Sequence, residues 1–129
     1  MILYSLLLLY SPLSFPYLVA VNSALPAIIA GNAVLLKPSP QTPLAAERFV
    51  LALVRAGVPK DIIQVIHMSP SLTSFAVQHT LVDFVSFTGS VPGGHSVVRS
   101  AADGPGFTGV GLEVDCSDSA FVHYSSWSG

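Results

Sequence analysis

The chain is short of charge. Only 9% of its 129 residues are Asp, Glu, Lys or Arg, against about 25% in an ordinary globular domain. Five basic and seven acidic side chains leave a net charge of −2, which excludes the basic face that a nucleic-acid partner demands. Cysteine is scarcer still. The lone Cys116 cannot close an internal disulfide and offers no cluster for a metal. His67, His79, His95 and His123 show no ligand spacing and read as surface or internally satisfied side chains. So few charges cover the surface of a small domain poorly. The chain is therefore expected to pack against something else or to form part of a larger protein.

No charged side chain precedes Lys37, and hydropathy alone marks that stretch as a membrane span or signal peptide. A signal peptide needs a positive first segment, which Met1-Ile2-Leu3-Tyr4 does not supply. Pro12, Pro16, Asn22, Pro26 and Gly31 cut the run into pieces shorter than the roughly 20 residues of a span. The pieces read as strand, helix and strand. A cytoplasmic chain off the membrane is expected; the alternative is a small membrane-associated protein using residues 1–36.

What the sequence does contain is alternation. Ile2 to Tyr10 is an apolar run of the kind buried on both faces of a parallel sheet. Ser14 is placed to cap a helix from Phe15 to Ala30, kinked at Pro26 and stopped by Gly31-Asn32. Ala33 to Leu36 is the next strand. Thr42-Pro43 opens a helix through Ala56 with Leu44, Phe49, Leu51, Leu53 and Val54 inward. Strands at 62–67 and 81–87 then alternate with helices at 71–79 and 92–102, the last turning Val97 and Val98 to the sheet. Val110 to Val114 and Ala120 to Tyr124 are brief strand candidates. Such alternation implies right-handed crossovers and a parallel sheet covered on both faces. Nucleotides bind beyond the carboxyl ends of such strands.

Three residues or turns with useful chemistry fall at those ends. Phe87-Thr88-Gly89-Ser90 closes a strand, and Pro92 suits the first turn of the helix that follows. Bare N–H groups and the helix dipole there make either an anion site or a plain turn. Lys37 closes the second strand, as a phosphate or ribose ligand or as a solvated lysine. Glu113 ends the fifth. It reads as a partly desolvated general base or as an ordinary strand-end carboxylate. Cys116 has no nearby cation, and Asp115 and Asp118 oppose its ionisation.

Taken together, these segments resemble the aldehyde dehydrogenase superfamily. Phe15-Pro16-Tyr17-Leu18, Pro26 to Asn32, Leu36-Lys37-Pro38-Ser39, Gln41-Thr42-Pro43-Leu44, Ala56-Gly57-Val58-Pro59, Phe87-Thr88-Gly89-Ser90 and Gly111-Leu112-Glu113 stand in that family's order and spacing. The resemblance implies an α/β, Rossmann-like open parallel sheet with helices on both faces, here incomplete. It spans residues 1–122, with 123–129 a divergent tail. It also implies NAD or NADP as cofactor and oxidation of an aldehyde through a cysteine thiohemiacetal, hydride transfer and thioester hydrolysis. By matching position, Lys37 contacts the adenosine ribose, and Ser39 counts among the cofactor-binding residues. Gly89 and Ser90 hold the pyrophosphate, Gly94 completes a Gly-Ser-x-x-x-Gly pattern, and Glu113 activates the deacylating water.

The departures from that family carry their own expectations. Leu13-Ser14 replaces a Trp-Asn pair whose asparagine donates to the oxyanion, a loss worth about 100- to 1000-fold in rate. Pro40 stands where many NAD-dependent members hold the ribose with a glutamate, so NADP is at least as plausible as NAD. Asp115-Cys116-Ser117 replaces Gly-Gly-Lys. The family's nucleophilic cysteine lies well downstream of its glutamate, and only sixteen residues follow Glu113. The family's N-terminal part and oligomerisation element have no counterpart either. The expectation is a nucleotide-binding remnant, inactive on aldehydes by itself.

Overall fold

The computed structural model of the chain describes residues 6–11 and 16–114. The expected cap at Ser14, the strand at 120–124, Cys116 and the tail at 123–129 lie outside the described residues. Five strands, β1 (Leu6–Ser11), β2 (Ala33–Pro38), β3 (Ile63–Val65), β4 (Phe84–Gly89) and β5 (Gly109–Val114), form one sheet. Their order is β3-β2-β1-β4-β5, and every neighbouring pair is parallel. Between them run α1 (Pro16–Ile29), α2 (Pro43–Arg55), α3 (Pro70–Gln78) and α4 (Val91–Asp103). The chain steps outward from β1 to β3, then returns across β1 to place β4 and β5. Neighbours β1 and β4 therefore send their following segments in opposite directions, which opens a crevice at their carboxyl ends.

The expected α/β class, with helices on both faces, is borne out by two separate cores. Ala20, Ala24 and Ala27 of α1 recur at helical spacing and pack with Val34, Leu36, Phe49 and Ile63 on one face. Val77, Val85, Phe87, Val97 and Ala101 form the other, joined by Leu35, Leu112 and Val114. β2 serves both: alternate residues point to opposite faces, so Leu36 enters the first core while Leu35 joins the second. Lys37, two residues past Leu35, is thereby aimed at the α3/α4 face.

Several local expectations are corrected. Leu44 and Leu51 of α2 are exposed, not inward. The buried stripe is Ala46 and Phe49, with Val50 and Leu53 against it, the spacing of a single helical face. Val97 is buried, whereas Val98 is only partly so. β4 starts at Phe84, later than Leu81, because a turn holds the approach: Val82 N donates to His79 O at 3.0 Å and Leu81 N to His79 Nδ1 at 3.2 Å. β3 is the short edge strand, paired to β2 over three residues. Among the described residues no helix is long and apolar enough to cross a membrane, and α1 has only 14 residues. The membrane alternative is left without support.

Candidate functional site

The carboxyl edge of the sheet collects the residues singled out above. β2 ends in Lys37-Pro38, and the next residues turn: Thr42 N donates to Ser39 O at 3.1 Å and Gln41 N to Ser39 Oγ at 3.3 Å. Ser39 thus shapes the turn that presents Pro40. Lys37 Nζ donates to Pro38 O at 3.3 Å, and burial pushes its pKa below the ordinary lysine value.

Beside Lys37 lies a cavity of about 180 Å³, bounded by Pro40, Met68, Thr73, Ser74, Ser96 and Ser100 among others. None of the described residues that line it is acidic. The hydroxyls come from α3 and α4, where Thr73 and Val77, and Ser96 and Ser100, stand four apart and face each other. Ser69 caps α3, accepting from Leu72 N at 3.3 Å, and its carbonyl takes the Thr73 hydroxyl at 2.8 Å. None of the hydroxyl-bearing α3/α4 lining residues was singled out in the sequence, which marked only Val97 there, as a residue facing the sheet. The available signal is small polar residues at positions where helical spacing calls for apolar ones.

The turn after β4 is built around Phe87. A Cβ on Gly89 would sit 2.9 Å from the Phe87 ring, and one on Gly93 2.7 Å from it. Both glycines therefore let the buried Phe87 ring lie under the turn. Ser90 caps α4: its Oγ accepts from Gly93 N at 3.3 Å. That leaves the Ser90 O–H, with Val91 N–H, to donate outward at the positive end of the helix. Gly94 is buried one turn on, where a Cβ would come 3.2 Å from Val114. It brings α4 close to β5, and its place in the site is positional. β2 and β4 are separated by β1 alone, and through Tyr10 Lys37 is level with Phe87, so the Gly89-Ser90 turn lies about 10 Å across the sheet from Lys37 and two to three residues further along the strand direction.

The Glu113 side chain is exposed, as in the reading of an ordinary strand-end carboxylate, and not partly desolvated. In register it pairs with Thr88, whose Oγ1 donates to Glu113 Oε2 at 3.5 Å. Both lie on the sheet face opposite α4. There α1 and α2 pack over β1, β2 and β3, and β5 is the edge strand, so water reaches the carboxylate. Lys37 and Glu113 thus occupy opposite faces, with the Gly89-Ser90 turn between them.

A second concavity, about 480 Å³, is larger but lies at the amino edge, lined by Ile28, Gly31, Asn32, Gly57, Val58 and Ile62. Two helices end there, and their carbonyl-bearing C-termini disfavour an anion. Anion chemistry points to the carboxyl edge.

Comparison with known proteins gives the same frame. The profile of the aldehyde dehydrogenase family matches residues 6–125. An N-succinylglutamate 5-semialdehyde dehydrogenase of Novosphingobium aromaticivorans is 37% identical over 103 residues, covering 80% of this chain and 22% of that protein. A D-glyceraldehyde dehydrogenase (NADP(+)) of Picrophilus torridus is 34% identical over 77% of this chain and 20% of its own length. Among solved structures, an NAD-dependent benzaldehyde dehydrogenase from Corynebacterium glutamicum superposes with a TM-score of 0.81. It is 32% identical and is covered over 85% of this chain and 24% of that one. The chain spans about a fifth of the length of the curated relatives it matches.

Proposed function

Because this chain belongs to the aldehyde dehydrogenase family, we propose that its described residues bind a nicotinamide dinucleotide across the carboxyl edge of the sheet. The activity served is oxidation of an aldehyde. The observation that carries the reading is the juxtaposition at that edge: a lysine-lined cavity on one face, a capped glycine turn two strands across from it, and a carboxylate beyond it. Lys37 and the Ser39 turn bind the adenosine ribose. Gly89 and Ser90 receive the pyrophosphate through outward donors at the α4 N-terminus. Gly94 sets the close approach of α4 to β5, the part that a third glycine plays in such turns.

The residues fit the group: the cavity is mostly apolar in its walls, carries hydroxyls and one cation, and has no carboxylate in its described lining. The dinucleotide, when bound, supplies the hydride acceptor. Glu113 takes a proton from water, a role that its solvent access permits and its Thr88 contact orients. Two relatives carry different cofactors in their names, NADP(+) in one and NAD in the other, so membership of the family leaves that choice to this chain's own residues.

Calorimetric titration with NAD and NADP tests the reading. Saturable binding of at least one is expected, weakened about tenfold or more by Lys37→Ala, with the circular dichroism spectrum unchanged. A folded chain that binds neither overturns it.

A further inference from the structure

The two edges of the sheet differ in how well they are guarded. β3 offers three residues, Ile63–Val65, and a strand that short is a poor template for another. β5 closes the other edge with six residues, Gly109–Val114, and no lysine or proline among them, the residues that usually blunt an open strand. None of the six is buried. Gly109 N donates to Asp83 O at 2.9 Å, so Gly109, Gly111 and Glu113 turn their main-chain groups toward β4. Val110, Leu112 and Val114 turn theirs outward, where nothing among the described residues pairs with them. On the face away from α4 the two glycines leave β5 unobstructed, with Phe84 lying across them. A Cβ on Gly109 would come 2.7 Å from the Phe84 ring, and one on Gly111 3.1 Å from it.

We propose that β5 pairs with β5 of a second copy of this chain, antiparallel about a two-fold axis at Leu112, joining two sheets into one. The strand itself fixes the register. A two-fold perpendicular to the sheet sets residues of the same face opposite each other. Centred on Leu112, it pairs Leu112 with its own copy and Val110 with Val114 of the second copy, so every outward main-chain group described on β5 is bonded. A centre at Gly111 would instead set Val114 against Thr108, outside the strand. Val110, Leu112 and Val114 already pack against the α3/α4 core, and that apolar layer runs on across the seam. On the other face Glu113 falls opposite Gly111 of the second copy, so the two carboxylates do not meet. A foreign strand would have to bring this pattern of apolar, small and charged residues; a second copy carries it already.

The test is sedimentation equilibrium together with amide hydrogen exchange on the unsubstituted 129-residue chain, over a concentration series. A reversible monomer–dimer equilibrium is expected, in which the Val110 and Leu112 amides slow about tenfold or more as the dimer forms. The Gly111 and Glu113 amides, already turned to β4, should change far less, and that alternation is the signature. Two variants then read the register. Gly111→Glu and Gly111→Lys meet the Phe84 ring alike but set opposite charges against Glu113 of the second copy. The glutamate variant should dissociate about tenfold more readily than the lysine one. A chain that stays monomeric at every concentration overturns the proposal, as does a dimer whose Val110 and Leu112 amides stay fast. Equal dissociation of the two variants overturns the register. Slow Val110 and Leu112 amides in the monomer would give the edge to another segment of this chain and overturn the proposal as well.

Discussion

The two faces of the sheet are built from the same strands and filled in opposite ways. On the α1/α2 face, alanines let α1 lie close, and Leu36 and Ala24 are fully sealed. On the α3/α4 face, Thr73, Ser74, Ser96 and Ser100 take positions that bulky residues would close, and a cavity remains beside Lys37. β2 makes the contrast in consecutive residues, with Leu35 and Lys37 on one side and Leu36 on the other. Both faces carry a buried core; the α3/α4 face also leaves room for a ligand.

The sharpest way to break this comparison is to truncate β2 on each side in turn. Leu36→Ala should cost about 2–5 kcal/mol, read by urea unfolding. Leu35→Ala, partly buried on the cavity side, should cost clearly less. Equal costs would mean that the faces are packed alike.

The helices also end differently on the two sides. α1 and α2 stop at Gly31 and Gly57, with φ of +87° and +106°, whereas α3 stops in extended backbone at His79. Space is open around Gly57, so Gly57→Ala measures backbone strain alone, an expected loss of about 1–2 kcal/mol. No loss would show that the turn relaxes.

Smaller effects probe polar atoms. The Thr42 hydroxyl is buried without a partner among the described residues and makes no cap bond to α2. Thr42→Val should be neutral or stabilising by up to about 1 kcal/mol; a clear loss would reveal a hidden bond. Smallest is the alkaline response of Lys37. Its pKa is lowered in the fold, so the unfolded chain binds more protons between the folded and unfolded values, and stability rises with pH there. Lys37→Met should remove that rise and leave a flatter alkaline limb. An unchanged limb would place the titration elsewhere.

Much of this was legible in the sequence, and the reason is physical. Apolar runs broken by Pro and Gly announce buried parallel strands, and Gly31, Gly57 and Pro92 mark helix ends, because few conformations are open to those residues. The edge residues Lys37, Gly89 and Ser90 were legible through their place at strand ends. The cavity was not. It depends on Ser96 and Ser100 meeting Thr73 across two helices, and helical spacing in one segment says nothing of what the other brings. Glu113 kept two readings in the sequence for a related reason. A strand-end carboxylate is desolvated only if something covers its face, and cover is a property of the packed assembly. Leu44 and Leu51 show the limit of composition, since a leucine on the wrong side of a helix stays outside.

The central claim is that ligand chemistry sits at the carboxyl edge, with the closed core excluded from it. Amide chemical-shift mapping of the chain during an NADP titration tests this directly. The account predicts saturable shifts at Lys37, Gly89 to Gly93, Ser96 and Ser100, and none at Gly31, Asn32 or Gly57 around the larger concavity. Shifts confined to the amino edge, or none at all in a folded chain, would contradict it.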